Sequence, residues 1–460
     1  MCRLLLLVAM LAVPGFAVAA DKPAGQPPNV ILIFTDDLGY GDLGCYGQKR
    51  IKTPHVDRMA QEGVRFTQCY AGSTVCAPSR SALMTGQHTG HTLVRGNARV
   101  PLRPEEVTVA KVVKSAGYRT GLIGKWGLGE PDSTGIPNLQ GFDYFFGYLN
   151  QHLAHNYYPD YLWRNQEKVL YSGNVVEKNV ASKRTVYSHD LFTEEALKFV
   201  EQEPGKPFFL YLAYTIPHAN NEAGKEGMET PSDEPYTKEN WPQQQKNHAA
   251  MITRMDADVG KLLQKLKDLK LDEKTIVFFT SDNGPHKEGG NDPKFNQSSG
   301  ALRGIKRDLT EGGIRVPMLA RWPGRIPAAT VSDQVWAFWD FLPTAAELAV
   351  AKSPAGIDGI SMVPALLGEK VAGRPQTNHE FLYWEFHEGG FKQAVRMGDW
   401  KLIRQPYGKE PAPQLYNLKD DLGETKDLAA ERKDIVARIE AYLKTARTES
   451  KDWPVPPKKN

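Results

Sequence analysis

Three stretches of the chain are apolar without alternation: Asn29 to Thr35 (NVILIFT), Phe208 to Thr215 (FFLYLAYT) and Thr275 to Ser281 (TIVFFTS). A strand with one wet face alternates polar and apolar residues. A strand covered on both faces does not, so each run predicts a strand inside a parallel sheet. Leu122-Ile123 before Gly124 predicts another. Helical patterns lie between them. Ala249 to Leu269 carries Met251, Met255, Val259, Leu262, Leu263 and Leu266 at spacings of three and four. Pro104-Glu105-Glu106 predicts a helix start, with proline and acids in the first turn, and Gly117 its end. Strands alternating with helices predict an α/β fold, with a large, mostly parallel central sheet flanked by helices.

The pattern changes near Arg374. Phe381 to Phe386, Gln393 to Met397 and Trp400 to Arg404 read as short strands, with Gly398-Asp399 as a two-residue hairpin turn. Leu415 to Leu418 reads as a further strand and Glu431 to Arg447 as a helix. The expected organisation is a catalytic domain over 21–373 and a small C-terminal antiparallel α+β subdomain with a closing helix over 374–460.

Residues 1–20 read as a secretory signal peptide. Arg3 is their only charge, Leu4 to Val13 is apolar, and Ala17-Val18-Ala19 supplies a small-residue cleavage site. No other stretch is long and apolar enough to predict a membrane span, so the mature chain is expected to be exported, periplasmic or secreted, and soluble. Gly 41 and Pro 32 among 460 residues stay below the level that signals disorder. A net charge of +3 gives no reason to expect nucleic acid as a partner. Nothing in the pattern specifies an oligomeric state. Of four cysteines, Cys2 leaves with the signal, and Cys45, Cys69 and Cys76 remain as an odd number in an oxidising compartment.

The candidate chemistry sits at strand ends. Asp36-Asp37 follows the first run and Asp282-Asn283 follows the third. Open α/β sheets bind ligands beyond the carboxyl ends of their strands. Three carboxylates and an amide delivered to one edge suit Ca²⁺, with Mg²⁺ as the alternative. Cys76-Ala77-Pro78-Ser79-Arg80 opens a predicted helix, which places Cys76 at an N-terminus favourable to anions and Arg80 one turn on. The spacing leaves a low-pKa thiolate and a plain buried cysteine both open.

Together these segments resemble the formylglycine-dependent sulfatases of arylsulfatase type, in the alkaline-phosphatase-like superfamily. The resemblance rests on Cys76 to Gly86 (CAPSRSALMTG), Thr35 to Asp42 (TDDLGYGD), Gly124-Lys125-Trp126, Pro217-His218, Ser281-Asp282-Asn283-Gly284, and Lys306 with Glu311-Gly312-Gly313, all in the family's order. It implies that a maturation enzyme oxidises Cys76 to formylglycine. One hydroxyl of the hydrated aldehyde then attacks sulfur, and the second expels sulfate. It also implies that Asp36, Asp37, Asp282, Asn283 and modified Cys76 hold the cation. Arg80, Lys125 and Lys306 would steady the sulfate, and His218 would protonate the leaving oxygen.

One position departs from the pattern. Two residues after the lysine, where this chain has Gly127, the family usually carries a histidine, which the resemblance implies assists sulfate elimination as a base. His152 and His155 are the nearest substitutes. An Ala-His-x-Tyr-Tyr-Pro segment, shared with a polysaccharide-degrading branch, favours His155. His286 and His387 are candidates for sugar or sulfate contact, or simply loop residues. Tyr157, Tyr158, Tyr161 and Trp163 form a candidate stacking platform, or core. Arg307 and Arg315 flank the lysine segment and are either substrate contacts or only ion-pair partners. Cys45 and Cys69 are either a disulfide or two free thiols. The expected substrate is a sulfated carbohydrate. A phosphodiesterase or phosphonate hydrolase of the same superfamily and a non-catalytic sulfated-glycan binder are the alternatives.

Overall fold

In the computed structural model, residues 26–405 and 413–455 are described. The signal-peptide reading of 1–20 falls outside them. The apolar runs are the strands Asn29–Asp36, Phe208–Pro217 and Thr275–Ser281, every residue buried. They lie side by side and parallel, with Asn29–Asp36 in the middle. Arg119–Lys125 and Tyr144–Tyr148 extend the parallel set on the Phe208–Pro217 side. On the other side Arg315–Arg321 runs antiparallel to Thr275–Ser281, and Val64–Tyr70 antiparallel to Arg315–Arg321. Among the described residues the sheet has eleven strands and is mixed, with a parallel centre.

Alternate residues of the central strand feed two cores. Val30, Leu32 and Phe34 face one layer, with Val109, Val113 and Leu342 from the helices Val109–Ser115 and Phe341–Leu348. Ile31 and Ile33 face the other, with Met251, Met255 and Leu262 from the helix Gln243–Asp268. That helix confirms the periodicity read over Ala249 to Leu269.

The helix expected from Pro104 begins later, at Val109. Thr108 Oγ1 accepts the Lys111 backbone N–H as the cap, while the Lys111 ammonium binds the carbonyls of Pro104 and Glu106 at 2.8 Å each. Pro104-Glu105 form a turn instead, with the Glu106 N–H donating to the Arg103 carbonyl at 3.2 Å.

The second sheet is an antiparallel meander of Leu382–Phe386, Lys392–Met397, Trp400–Arg404 and Gln414–Asn417, followed by the helix Lys433–Leu443. Gly398 takes φ +58 in the hairpin, a conformation glycine adopts freely. Leu382, Trp384 and Phe386 share a core with Val75 and Ala82, so this sheet buttresses the helix Cys76–Thr85. Lys401 is buried between Glu311 at 2.9 Å and Glu424 at 3.0 Å, tying the two sheets together.

Candidate active site

The parallel register sets Thr35 beside Ser281, so Asp36-Asp37 and Asp282-Asn283 leave the sheet together. The Asp37 backbone N–H donates to Asp282 Oδ1 at 3.0 Å, and Asn283 Nδ2 donates to Asp37 Oδ1 at 2.6 Å. Asp37 sits at φ +64, a left-handed backbone that non-glycine residues rarely hold without surrounding support.

The helix Cys76–Thr85 is buried along its whole length and aims its N-terminus at this edge. Cys76 Sγ lies 3.3 Å from Asp36 Oδ1. Asn97 Oδ1 accepts the Ala77 N–H at 3.0 Å, satisfying one of the free donors of the first turn. Arg80 pairs with Asp282 at 2.9 Å and donates to the Lys125 carbonyl at 2.8 Å. Lys125 Nζ meets Asp36 at 2.6 Å. Lys306 Nζ meets Asp37 at 2.8 Å, Glu288 at 3.0 Å and His218 Nε2 at 3.1 Å.

Burial would raise Asp36, but Lys125, Arg80 and Lys306 hold it well below the ordinary carboxylate range. Burial and the neighbouring Asp36 charge push Asp282 upward. Burial, reinforced by Asp36, drives the Cys76 thiol well above its usual range. Of the two alternatives left open by the sequence, the buried cysteine is the one this environment matches: the unmodified side chain is held as a thiol, a poor nucleophile. Burial, then Lys306, holds His218 neutral. Its Nδ1 lies 2.6 Å from the Ala219 carbonyl, so that nitrogen carries the proton and Nε2 accepts from Lys306.

Asn283 Oδ1 is buried with no hydrogen-bond partner among the described residues. An orphaned carbonyl beside three fully buried carboxylates is the donor set of a hard divalent cation, and the residues present fit such an ion.

A cavity of about 250 Å³ opens over this cluster, lined by Cys76, Gly127, Gln151, His152, His155, His218 and Lys306 among others. A larger groove, about 540 Å³, lies at the opposite sheet edge beside Asn29 and Phe208 and holds none of these groups. His155 stacks on His218, and its Nδ1 lies 3.0 Å from Glu222 Oε2. Half-exposed His152 reaches the same carboxylate at 3.4 Å. Burial alone would raise Glu222, but the His155 contact holds it below its ordinary value.

His286 is turned inward: Nε2 lies 3.0 Å from the Pro217 carbonyl and Nδ1 accepts the Glu288 N–H. Both ring nitrogens are spent on the loop, which matches the bracing alternative. His387 Nε2 lies 3.1 Å from Glu385, and the ring packs against Phe391 and Trp453, away from the cavity lining. The aromatic platform divides. Tyr157 and Tyr158 are core, while Tyr161 and Trp163 are half-buried on a strand with Lys168 over both rings. Cys45 and Cys69 are free thiols. Arg307 pairs with Glu288 and Glu388, and Arg315 with Glu311.

Glu222, Glu288, Asn97 and Gln151 were not singled out from the sequence. Each belongs to a loop whose partner is distant in the chain. The one local signal is that Gln151 and Glu288 lie in segments already marked by their histidines.

A family model for sulfatases matches residues 28–351, and one for the C-terminal part of N-sulphoglucosamine sulphohydrolase matches 305–449. The chain is 33% identical over 417 residues to N-acetylgalactosamine-6-sulfatase of Canis lupus familiaris, covering 86% of this chain and 74% of that protein. It is 33% identical over 467 residues to arylsulfatase A of Homo sapiens, covering 90% and 85%. A crystal structure of Ps i-CgsB in complex with k-i-k-neocarrahexaose superposes with a TM-score of 0.78 at 29% identity, covering 94% of this chain and 96% of that one. Sulfatases in general use formylglycine and a divalent metal. Shared sequence along most of its length, on this fold, places the chain in the sulfatase family, as a sulfuric ester hydrolase.

Proposed function

We propose that this sulfatase removes sulfate from a sugar of a sulfated polysaccharide, with Cys76 as the residue converted to formylglycine. One observation carries the reading. The Cys76 side chain sits 3.3 Å from Asp36 at the floor of the cavity, where Arg80, Lys125 and Lys306 converge. A sulfate ester spreads negative charge over three oxygens, and three fixed cations in a buried site favour its transition state. The sugar part is supported by a relative named N-acetylgalactosamine-6-sulfatase and by a related structure in complex with k-i-k-neocarrahexaose.

Asp36, Asp37, Asp282 and Asn283 are the proposed ligands of a Ca²⁺ ion, with converted Cys76 as a fifth. When bound, the ion would neutralise the carboxylates and polarise a sulfate oxygen. Formylglycine would supply the nucleophile toward sulfur. Lys306 would supply a proton to Nε2 of the neutral His218, and that nitrogen would pass it on to the leaving oxygen, the lysine regaining a proton from solvent. His155, aligned by Glu222, takes the base role vacated at Gly127 and accepts the proton that must leave before sulfate departs. His152, on the same carboxylate at the cavity rim, is a proposed sugar contact. His286 braces the loop behind His218, and His387 serves the C-terminal sheet. A C-terminal subdomain begins near residue 374, its sheet opening at Leu382. Export rests on the reading of residues 1–20.

The test is the mass of the Cys76 peptide from protein made in its native host, together with sulfate against phosphate release from matched aryl esters. Conversion lowers that peptide by about 18 Da, because oxygen replaces sulfur and two hydrogens at the future nucleophile. A converted peptide with sulfate release is expected. Unconverted cysteine in active protein overturns the mechanism. Phosphate release without sulfate favours the phosphodiesterase alternative, and binding without release favours the glycan binder.

A further inference from the structure

Gly127 and Gln151 fit each other in a way the reaction so far does not use. Gly127 N donates to the Leu149 carbonyl at 3.0 Å, continuing the parallel pairing of Lys125 with Tyr148, so its backbone is clipped beside the segment that carries Gln151. That segment is itself fixed. Asn150 Nδ2 donates to Glu130 at 3.0 Å, and Asn150 Oδ1 accepts the Leu153 N–H at 3.0 Å. The Gln151 side chain then folds over Gly127. A Cβ at residue 127 would lie 2.2 Å from Gln151 Nε2 and 3.0 Å from its Cδ, and the backbone there holds φ +80. The amide thus occupies the space of a side chain at 127.

Gln151 Nε2 is shielded from solvent and has no hydrogen-bond partner among the described residues. A primary amide carries two donors, and a buried donor without an acceptor is costly. Yet both Gly127 and Gln151 line the cavity that holds Cys76, Lys306 and His218. Such a group, kept unpaired at a ligand cavity, waits for an acceptor from the ligand. Sulfate offers only acceptors.

We infer that Gln151 is a sulfate-binding residue whose amide, lodged over Gly127, donates to an oxygen of the bound sulfate group. This rests on the sulfatase reading of the cavity. An amide holds its protons at working pH, so it binds and orients while proton transfer stays with the histidines. Rotation about the last side-chain bond exchanges Nε2 and Oε1 and lets the donors follow the ligand.

The test uses Gln151→Met, close in shape but without polar atoms, and inorganic sulfate as the probe in the full-length protein. Isothermal titration should show sulfate affinity about tenfold weaker, the size of one hydrogen bond to a charged acceptor. Without sulfate, the midpoint of thermal unfolding should stay level or rise, because the variant removes an unsatisfied buried donor. Gln151→Glu is the second variant. It should weaken sulfate binding about a hundredfold or more at neutral pH, and recover relative to wild type as acid restores a donor hydroxyl. Unchanged sulfate affinity in Gln151→Met, or a lowered midpoint with unchanged affinity, overturns the inference, as does wild-type protein that binds no sulfate. Sulfate binding by wild type without hydrolysis of any sulfate ester would instead strike the proposed function and leave Gln151 standing.

Discussion

The imidazole of His155 lies flat on that of His218, with centroids 4.8 Å apart and planes 14° from parallel. The two rings come from separate segments, His155 from the loop after Tyr148 and His218 from just beyond the strand Phe208–Pro217. Their surroundings differ. His218 faces the Lys306 ammonium and is neutral, whereas His155 faces the Glu222 carboxylate. Two like rings in unlike fields suit two different proton tasks.

His155→Ala should therefore lower steady-state turnover about a hundredfold, while release of the alcohol in a single turnover is little changed. Glu222→Gln should give the same pattern in weaker form. Rapid-quench measurement of alcohol and sulfate separates the two steps. Equal loss in both would remove His155 from sulfate release.

Gly127→Ala should both unfold more easily and turn over more slowly. The left-handed backbone costs a Cβ about 1–2 kcal/mol, and the methyl group would also displace the Gln151 amide. Thermal unfolding and kinetics check this together. Gly127→His alone should not restore the usual family arrangement, because Gln151 fills that space. Adding Gln151→Gly should recover part of the loss, and a double-mutant cycle reads the coupling.

Exhaustive chelation should abolish turnover, with Ca²⁺ or Mg²⁺ restoring it. It should also lower the unfolding midpoint. An ion at a hundred times its dissociation constant stabilises by about 2.7 kcal/mol, and its loss leaves three buried carboxylates short of positive charge. Calorimetry with and without each cation checks both effects. Full activity in the chelated protein would end the metal assignment.

Acid should loosen the contact of the C-terminal sheet with the Arg95 segment through Glu385. Burial alone would raise this carboxyl, but His387, Arg447 and Arg95 overturn that and hold it at about 2, below its ordinary 4.5. The charged form is favoured in the folded state, so the stabilisation is complete above about pH 4.5 and lost as pH falls toward about 2. By the same linkage it amounts to about 3 kcal/mol. Denaturant unfolding across that interval should show Glu385→Gln less stable at neutral pH and less sensitive to acid than wild type.

The strands and the residues at their ends were legible in the chain alone, because burial on both faces leaves a local signature. NVILIFT followed by Asp36-Asp37, and TIVFFTS followed by Asp282-Asn283, needed only the rule that parallel strands end at one edge. The motif opening at Cys76 was equally local, since proline and a short helix carry it. The helix expected from Pro104 starts several residues later, behind the Thr108 cap, with Pro104-Glu105 folded in a turn that the local pattern did not separate from a first helical turn. Tertiary packing drew Tyr157 and Tyr158 into the core and left Tyr161 and Trp163 half-buried, although the four look alike in sequence. It also closed Glu222 onto His155 across 67 residues of chain and laid Gln151 over Gly127. Such contacts depend on where loops land once the sheet has formed. Local patterns report burial and turn chemistry, while the meeting of two loops is settled only by the space the packed core leaves between them.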